Sequence, residues 1–200
     1  MAERSRSTMT AATLLACGAL AFAASPALAS PAPVRTVGIA TVDGSGGAWT
    51  YSASQLPEGA RLTVTAVYPG SGSTIVTLHL TGAGASREYG AHAHKAACTS
   101  VSADALGHYQ FAPNPNPLNP TDPEYANSSN EIWLDIHTNP SGSGYAQAVV
   151  PWQPGTSRPM SVVIHEMHTS TDSGMAGTAG PRLGCMTVPF CRWAIQDLNL

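Results

Sequence analysis

The sequence predicts an all-β fold, an eight-stranded Greek-key β-barrel or sandwich with long loops, and three observations carry that prediction. Only 10% of the 200 residues are charged, while 19 glycines and 16 prolines supply turns at close spacing. Short runs rich in Val, Thr and Ile alternate polar and apolar residues, the period of a strand with one buried face. No window sustains the 3.6-residue apolar period of a helix. With 43% hydrophobic residues the chain can bury one core. A net charge of -3 gives no reason to expect nucleic acid or an acidic membrane surface as a partner.

Residues 1–29 read as an export leader. Arg4 and Arg6 precede an apolar run over 11–24, and Ala27-Leu28-Ala29 is a small-x-small cleavage site. The expected organisation is a signal peptide over 1–29 and one domain over 30–200. The apolar run is too short for a membrane span, so the protein is expected to be secreted or held in the cell envelope. A lipoprotein leader ending at Cys17 competes with this reading, but the apolar run continues past Cys17. Export puts Cys98, Cys185 and Cys191 where disulfides persist, enough for one bond and one leftover thiol.

The strands follow in order. Residues 34–42 and 49–54 are separated by the turn-forming Asp43-Gly44-Ser45-Gly46-Gly47. Strands over 61–67 and 74–80 alternate, with Val76, Leu78 and Leu80 on one face and Ile75, Thr77 and His79 on the other. A strand over 87–94 ends in His92-Ala93-His94. Five prolines between 113 and 123, which lack the donor a sheet needs, make a long stiffened loop. Strands resume over 131–138 and 145–152 around the turn Asn139-Pro140-Ser141-Gly142, then over 160–165. A Gly-rich loop spans 170–184, and 185–188 is the last strand.

All seven histidines lie beyond the leader, at 79, 92, 94, 108, 137, 165 and 168. His92 and His94 share one face of a strand about 7 Å apart, close enough to converge on one metal ion. His165 ends an apolar strand and His108 precedes the Pro-rich loop.

Taken together, His92-x-His94, Cys98, Gly107-His108-Tyr109, Ser161-Val162-Val163-Ile164-His165-Glu166 and Gly177-Thr178-Ala179-Gly180-Pro181-Arg182-Leu183-Gly184-Cys185 resemble the secreted copper/zinc superoxide dismutases, particularly their copper-only branch. The resemblance runs from about residue 85 to 188. It implies a dismutase-like barrel, copper held by His92, His94, His108 and His165, and a disulfide between Cys98 and Cys185. It implies that Arg182 guides an anionic substrate, superoxide, and that His108 and Arg182 serve catalysis. Four imidazoles suit Cu(II) and leave an axial face open for a small ligand.

The zinc site of that family looks absent. No histidine occurs between Tyr109 and Asn130, His137 alternates as a strand residue would, and Thr169 falls where an aspartate would join two metal sites. A ligating histidine usually donates its second nitrogen to a carboxylate or carbonyl. Glu131, close to where the resemblance would place a zinc-binding aspartate, is therefore expected beside His108, with Asp135 the alternative. Arg182 has a structural alternative, pairing with loop carbonyls. His79 and His168 are expected at the surface, and Cys191 is left as the odd thiol. The expected activity is conversion of superoxide to O2 and H2O2 by an exported monomer or weak homodimer without a membrane span. A non-catalytic copper-binding or storage module is the alternative, since it needs the four histidines but not Arg182.

Overall fold

The computed structural model describes residues 34–44, 47–188 and 190, with backbone alone at 34–37 and 39. The expected leader, Cys17 and Cys191 lie outside the described residues. The fold is all-β: two antiparallel sheets, of four and five strands, pack as a sandwich. The first sheet contains β1 (Val34–Thr41), β3 (Arg61–Tyr68), β4 (Thr74–Thr81) and β7 (Gly144–Val150) in the order β1-β3-β4-β7. The second contains β2 (Ala48–Thr50), β5 (Glu88–His94), β6 (Ile136–His137), β8 (Ser161–His165) and β9 (Arg182–Thr187) in the order β2-β9-β8-β5-β6.

Alternation builds the core. Leu62, Val64, Ala66 and Tyr68 of β3 are buried, and so are Val76, Leu78 and Leu80 of β4. The register Val64↔Leu78 and Ala66↔Val76 sets these side chains beside one another. From the other sheet Tyr89, Ala91 and Ala93 of β5, Val162 and Ile164 of β8 and Met186 of β9 meet them. Each fully buried Leu or Ile contributes about 1.5–3 kcal/mol.

Of the two expected architectures the sandwich forms: the sheets do not close into a barrel, and nine strands form among the described residues where eight were expected. One expected strand is corrected. The strand expected over 131–138 pairs regularly only at Ile136–His137. Upstream of it the chain still runs against β5, through Ala93 N–H to Ile132 O, Leu134 N–H to Ala91 O and an isolated bridge between His92 and Trp133. Its alternation survives: Ile132, Leu134 and Ile136 enter the core, which turns Glu131, Trp133 and Asp135 to the outer face of the second sheet. That face is roofed by the loops 95–107, 110–131 and 166–181. The first of these carries a short 3-10 helix, Ser102–Ala105. Among the described residues no helix is long and apolar enough to cross a membrane.

Candidate metal centre

Three of the four candidate ligands stand on paired strands. With Tyr89, Ala91 and Ala93 in the core, Gly90, His92 and His94 project from the outer face of β5. β8 lies antiparallel to it with Gly90 opposite His165 and His92 opposite Val163, so His165 joins the same face. A solvated sheet face would leave these rings wet, yet His92 and His94 are 0% exposed because the loops cover them. Gly90 permits that cover: a Cβ there would stand 2.4 Å from Met167 O and 2.6 Å from the Ala179 Cβ. His108 arrives from the 95–107 loop, held by a bridge to His94 and by Tyr109 N–H donating to Ala93 O at 2.8 Å.

That loop is pinned from several sides. Cys98 and Cys185 form the disulfide the resemblance implies. Cys98 N–H donates to Thr187 Oγ1 at 3.0 Å, and Ser161 Oγ to Ala96 O at 2.7 Å. Beneath it Val163, Ala105 and the two cysteines make a second small apolar cluster, flanked by Trp49 and Tyr51.

Each ring spends one nitrogen on the protein. His94 Nδ1 meets Leu106 O at 2.9 Å and His165 Nδ1 meets Gly180 O at 3.1 Å. His108 Nδ1 lies 2.8 Å from Glu131 Oε2, and His92 Nε2 lies 2.6 Å from Thr169 Oγ1. A carbonyl can only accept, so His94 and His165 carry their protons at Nδ1 and leave lone pairs on Nε2. Those two Nε2 atoms face each other at 3.4 Å. His92 Nδ1 is buried without a hydrogen-bond partner. One nitrogen from each of the four rings lies within 4.8 Å of the others.

Facing lone pairs and an orphaned buried nitrogen are costly unless a cation sits among them, so the donor set fits a bound metal ion. An all-imidazole set suits Cu, Zn, Fe or Ni. Burial first, and the neighbouring rings second, hold His92 well below its ordinary pKa; for His94 burial again leads, followed by His108. Burial also lowers His165 to about 4, against a hydrogen bond to Gly180 that raises it. The three are therefore neutral at neutral pH, the form that ligates a metal.

Glu131 takes the place beside His108. Its carboxylate is 1% exposed and accepts from His108 Nδ1, from Trp133 Nε1 at 2.7 Å and from Gln110 Nε2 at 2.8 Å. Asp135, the alternative partner, reaches a different ring: it accepts from Thr169 Oγ1 at 2.6 Å, and Thr169 contacts His92. The alternation of Glu131, Trp133 and Asp135 along one strand was the signal that all three share the site's face. Sequence reasoning missed Trp133, and it noted Thr169 only as the residue standing where an aspartate would join two metal sites.

Arg182 is half-buried, and its guanidinium donates to Ser102 O and Leu106 O, the same Leu106 carbonyl that orients His94. It borders a cavity of about 650 Å³ that opens over His108 and His165 and has Lys95 and Gln110 among its lining. Of the remaining histidines, His137 is exposed beside Glu88, and His79 is exposed in edge contact with Tyr145. His168 is largely exposed, yet its Nδ1 lies 3.3 Å from Asp135 Oδ2. Among the described residues no second group of three or more His, Cys, Asp or Glu side chains converges as these four do.

No family model and no curated protein matches the chain. Among solved structures it is similar to the clock protein EA4, at 18% identity and a TM-score of 0.49, over 80% of this chain and 96% of that one. A likeness of that degree leaves the site to be read from its own geometry.

Proposed function

We propose that this chain is an exported copper-dependent superoxide dismutase that works without a zinc site. One observation carries the reading: four imidazoles, each with one nitrogen engaged by the protein and the other free, converge at the floor of an open cavity beside an arginine. The motif order and spacing that resemble the copper-only dismutases support copper over the other metals such a set could hold. The disulfide is compatible with an extracellular location.

Bound copper would exchange one electron with superoxide in each direction, two superoxide ions and two protons giving one O2 and one H2O2. The chain's own residues do the rest. His92, His94 and His165 stand on hydrogen-bonded strands, so their nitrogens are held by backbone rather than by flexible loops. Glu131 keeps the His108 Nδ1 proton in place and so keeps Nε2 as the donor atom. Arg182 brings a positive charge to the cavity, because its carbonyl partners satisfy its N–H groups without neutralising it. With His108 bordering that cavity, protons reach the site from solvent.

A specific observation also favours the second reading, a non-catalytic copper-binding or storage module. Arg182 is committed to two loop carbonyls, a role that needs no substrate. Metal analysis and dismutase assays separate the readings. The dismutase reading expects one copper and no zinc per chain, and activity that falls about tenfold and loses part of its salt dependence in Arg182→Ala. Background rates in both proteins would leave the binding module, and equimolar zinc would overturn the zinc-free part.

A further inference from the structure

We propose that Thr169 is a positioning residue for His92, with Asp135 as the group that orients it, so that this pair decides which nitrogen of His92 faces the metal. The proposal rests on the four histidines being a metal centre, and not on the metal being copper or the protein being a dismutase. It follows from proton bookkeeping in a buried chain. His92 is 0% exposed and Thr169 4% exposed, so no bulk water competes for their polar atoms. Thr169 Oγ1 lies 2.6 Å from His92 Nε2 on one side and 2.6 Å from Asp135 Oδ1 on the other. A hydroxyl has one proton to donate.

Asp135 settles where that proton goes. Its Oδ1 accepts Ala91 N–H at 3.1 Å and its Oδ2 accepts Thr169 N–H at 3.1 Å. His168 Nδ1 approaches the same carboxylate at 3.3 Å. A carboxylate ringed by donors is an acceptor, and the short contact to Oγ1 makes a charge-assisted bond with the hydroxyl proton in it. The Thr169 oxygen is left with lone pairs for His92, so His92 must donate from Nε2. The ring then carries its only other lone pair on Nδ1, the atom that is buried with no protein partner.

The consequence sets His92 apart from its neighbours. His94 and His165 are protonated at Nδ1 by main-chain carbonyls and offer Nε2, whereas His92 offers Nδ1. A single alternating pair on β5, its ring centroids 6.4 Å apart, thus reaches one ion with different ring atoms. Without the hydroxyl, nothing among the described contacts of His92 chooses between its tautomers.

The test compares wild type with Thr169→Val and Thr169→Ser. Valine keeps the branched shape and the backbone N–H bond to Asp135 but deletes the hydroxyl; serine restores the hydroxyl. Nitrogen-15 NMR of the metal-free protein reads the His92 tautomer directly, and competition against a chelator reads Cu(II) affinity. Expected are an Nε2-protonated His92 in wild type, mixed tautomers with about 10–100-fold weaker Cu(II) binding in Thr169→Val, and recovery of both in Thr169→Ser. A wild-type His92 protonated at Nδ1 would overturn the proposal, and so would a Thr169→Val protein with unchanged tautomer and affinity. The wild-type spectrum decides the tautomer even if the valine variant does not fold. A protein that shows the expected tautomer but binds no copper would instead sink the copper reading.

Discussion

Glu131→Gln is the most informative single substitution, because it changes charge and leaves shape almost untouched. In the native protein Glu131 Oε2 accepts from His108 Nδ1 and Trp133 Nε1, and Oε1 accepts from Gln110 Nε2. A glutamine can keep its oxygen at the Oε2 position and preserve two of these bonds. Both drop from charge-assisted to neutral strength, a loss of about 0.5–1.5 kcal/mol each. Its amide nitrogen then faces the Gln110 amide nitrogen, and Gln110 cannot turn over freely because its Oε1 already accepts Asn114 N–H at 3.0 Å. An unpaired buried donor there costs about 1–3 kcal/mol. The total is about 2–6 kcal/mol, read as a lower urea midpoint with unchanged slope. The His108 Nε2 also becomes a poorer donor, so Cu(II) affinity measured by chelator competition should fall about tenfold. A Glu131→Gln protein within about 0.5 kcal/mol of wild type and with native affinity would refute the assignment of Glu131 as the buried anchor of His108.

Two further outcomes are expected. The metal-free protein should lose stability as pH falls from about 6.5 towards 4. His165 titrates near 4 when folded against 6.5 when unfolded, so the unfolded chain binds more protons across that window and the slope of stability with pH is positive, worth about 3 kcal/mol for this residue. His92 and His94 are lowered in the same sense and add to it. Urea midpoints at pH 7, 6, 5 and 4 measure this, and a flat profile would contradict it. Removing the Cys98–Cys185 bond, which spans 87 residues, should cost about 4–5 kcal/mol in the chain-entropy account. Metal affinity should fall with it, since the bond pins the loop that delivers His108. Native affinity after clean reduction would show that the remaining contacts hold the loop alone.

Much of this was legible in the chain. Alternation over 61–67 and 74–80 named the buried faces, and both β3 and β4 carry them as expected. The alternation His92-Ala93-His94 placed two ligands on one face, and the motif resemblance supplied His108, His165 and the disulfide partners. Local pattern sufficed there because strand periodicity is a property of neighbouring residues. It did not suffice for closure, since whether two sheets merge into a barrel depends on strand tilt and stagger summed over the whole fold.

Residue identity and period alone determined the all-β class and the paired histidine face, and the family resemblance added His108 and His165 to the candidate ligands. Tertiary structure decided the site's chemistry: Glu131 to His108 and Asp135 through Thr169 to His92. It also decided that Arg182 is tied to Ser102 and Leu106, and that three buried rings stay neutral. The physical reason is range. A strand's period says which way a side chain points, but a hydrogen bond needs its partner near 3 Å, and these partners come from loops far apart in sequence.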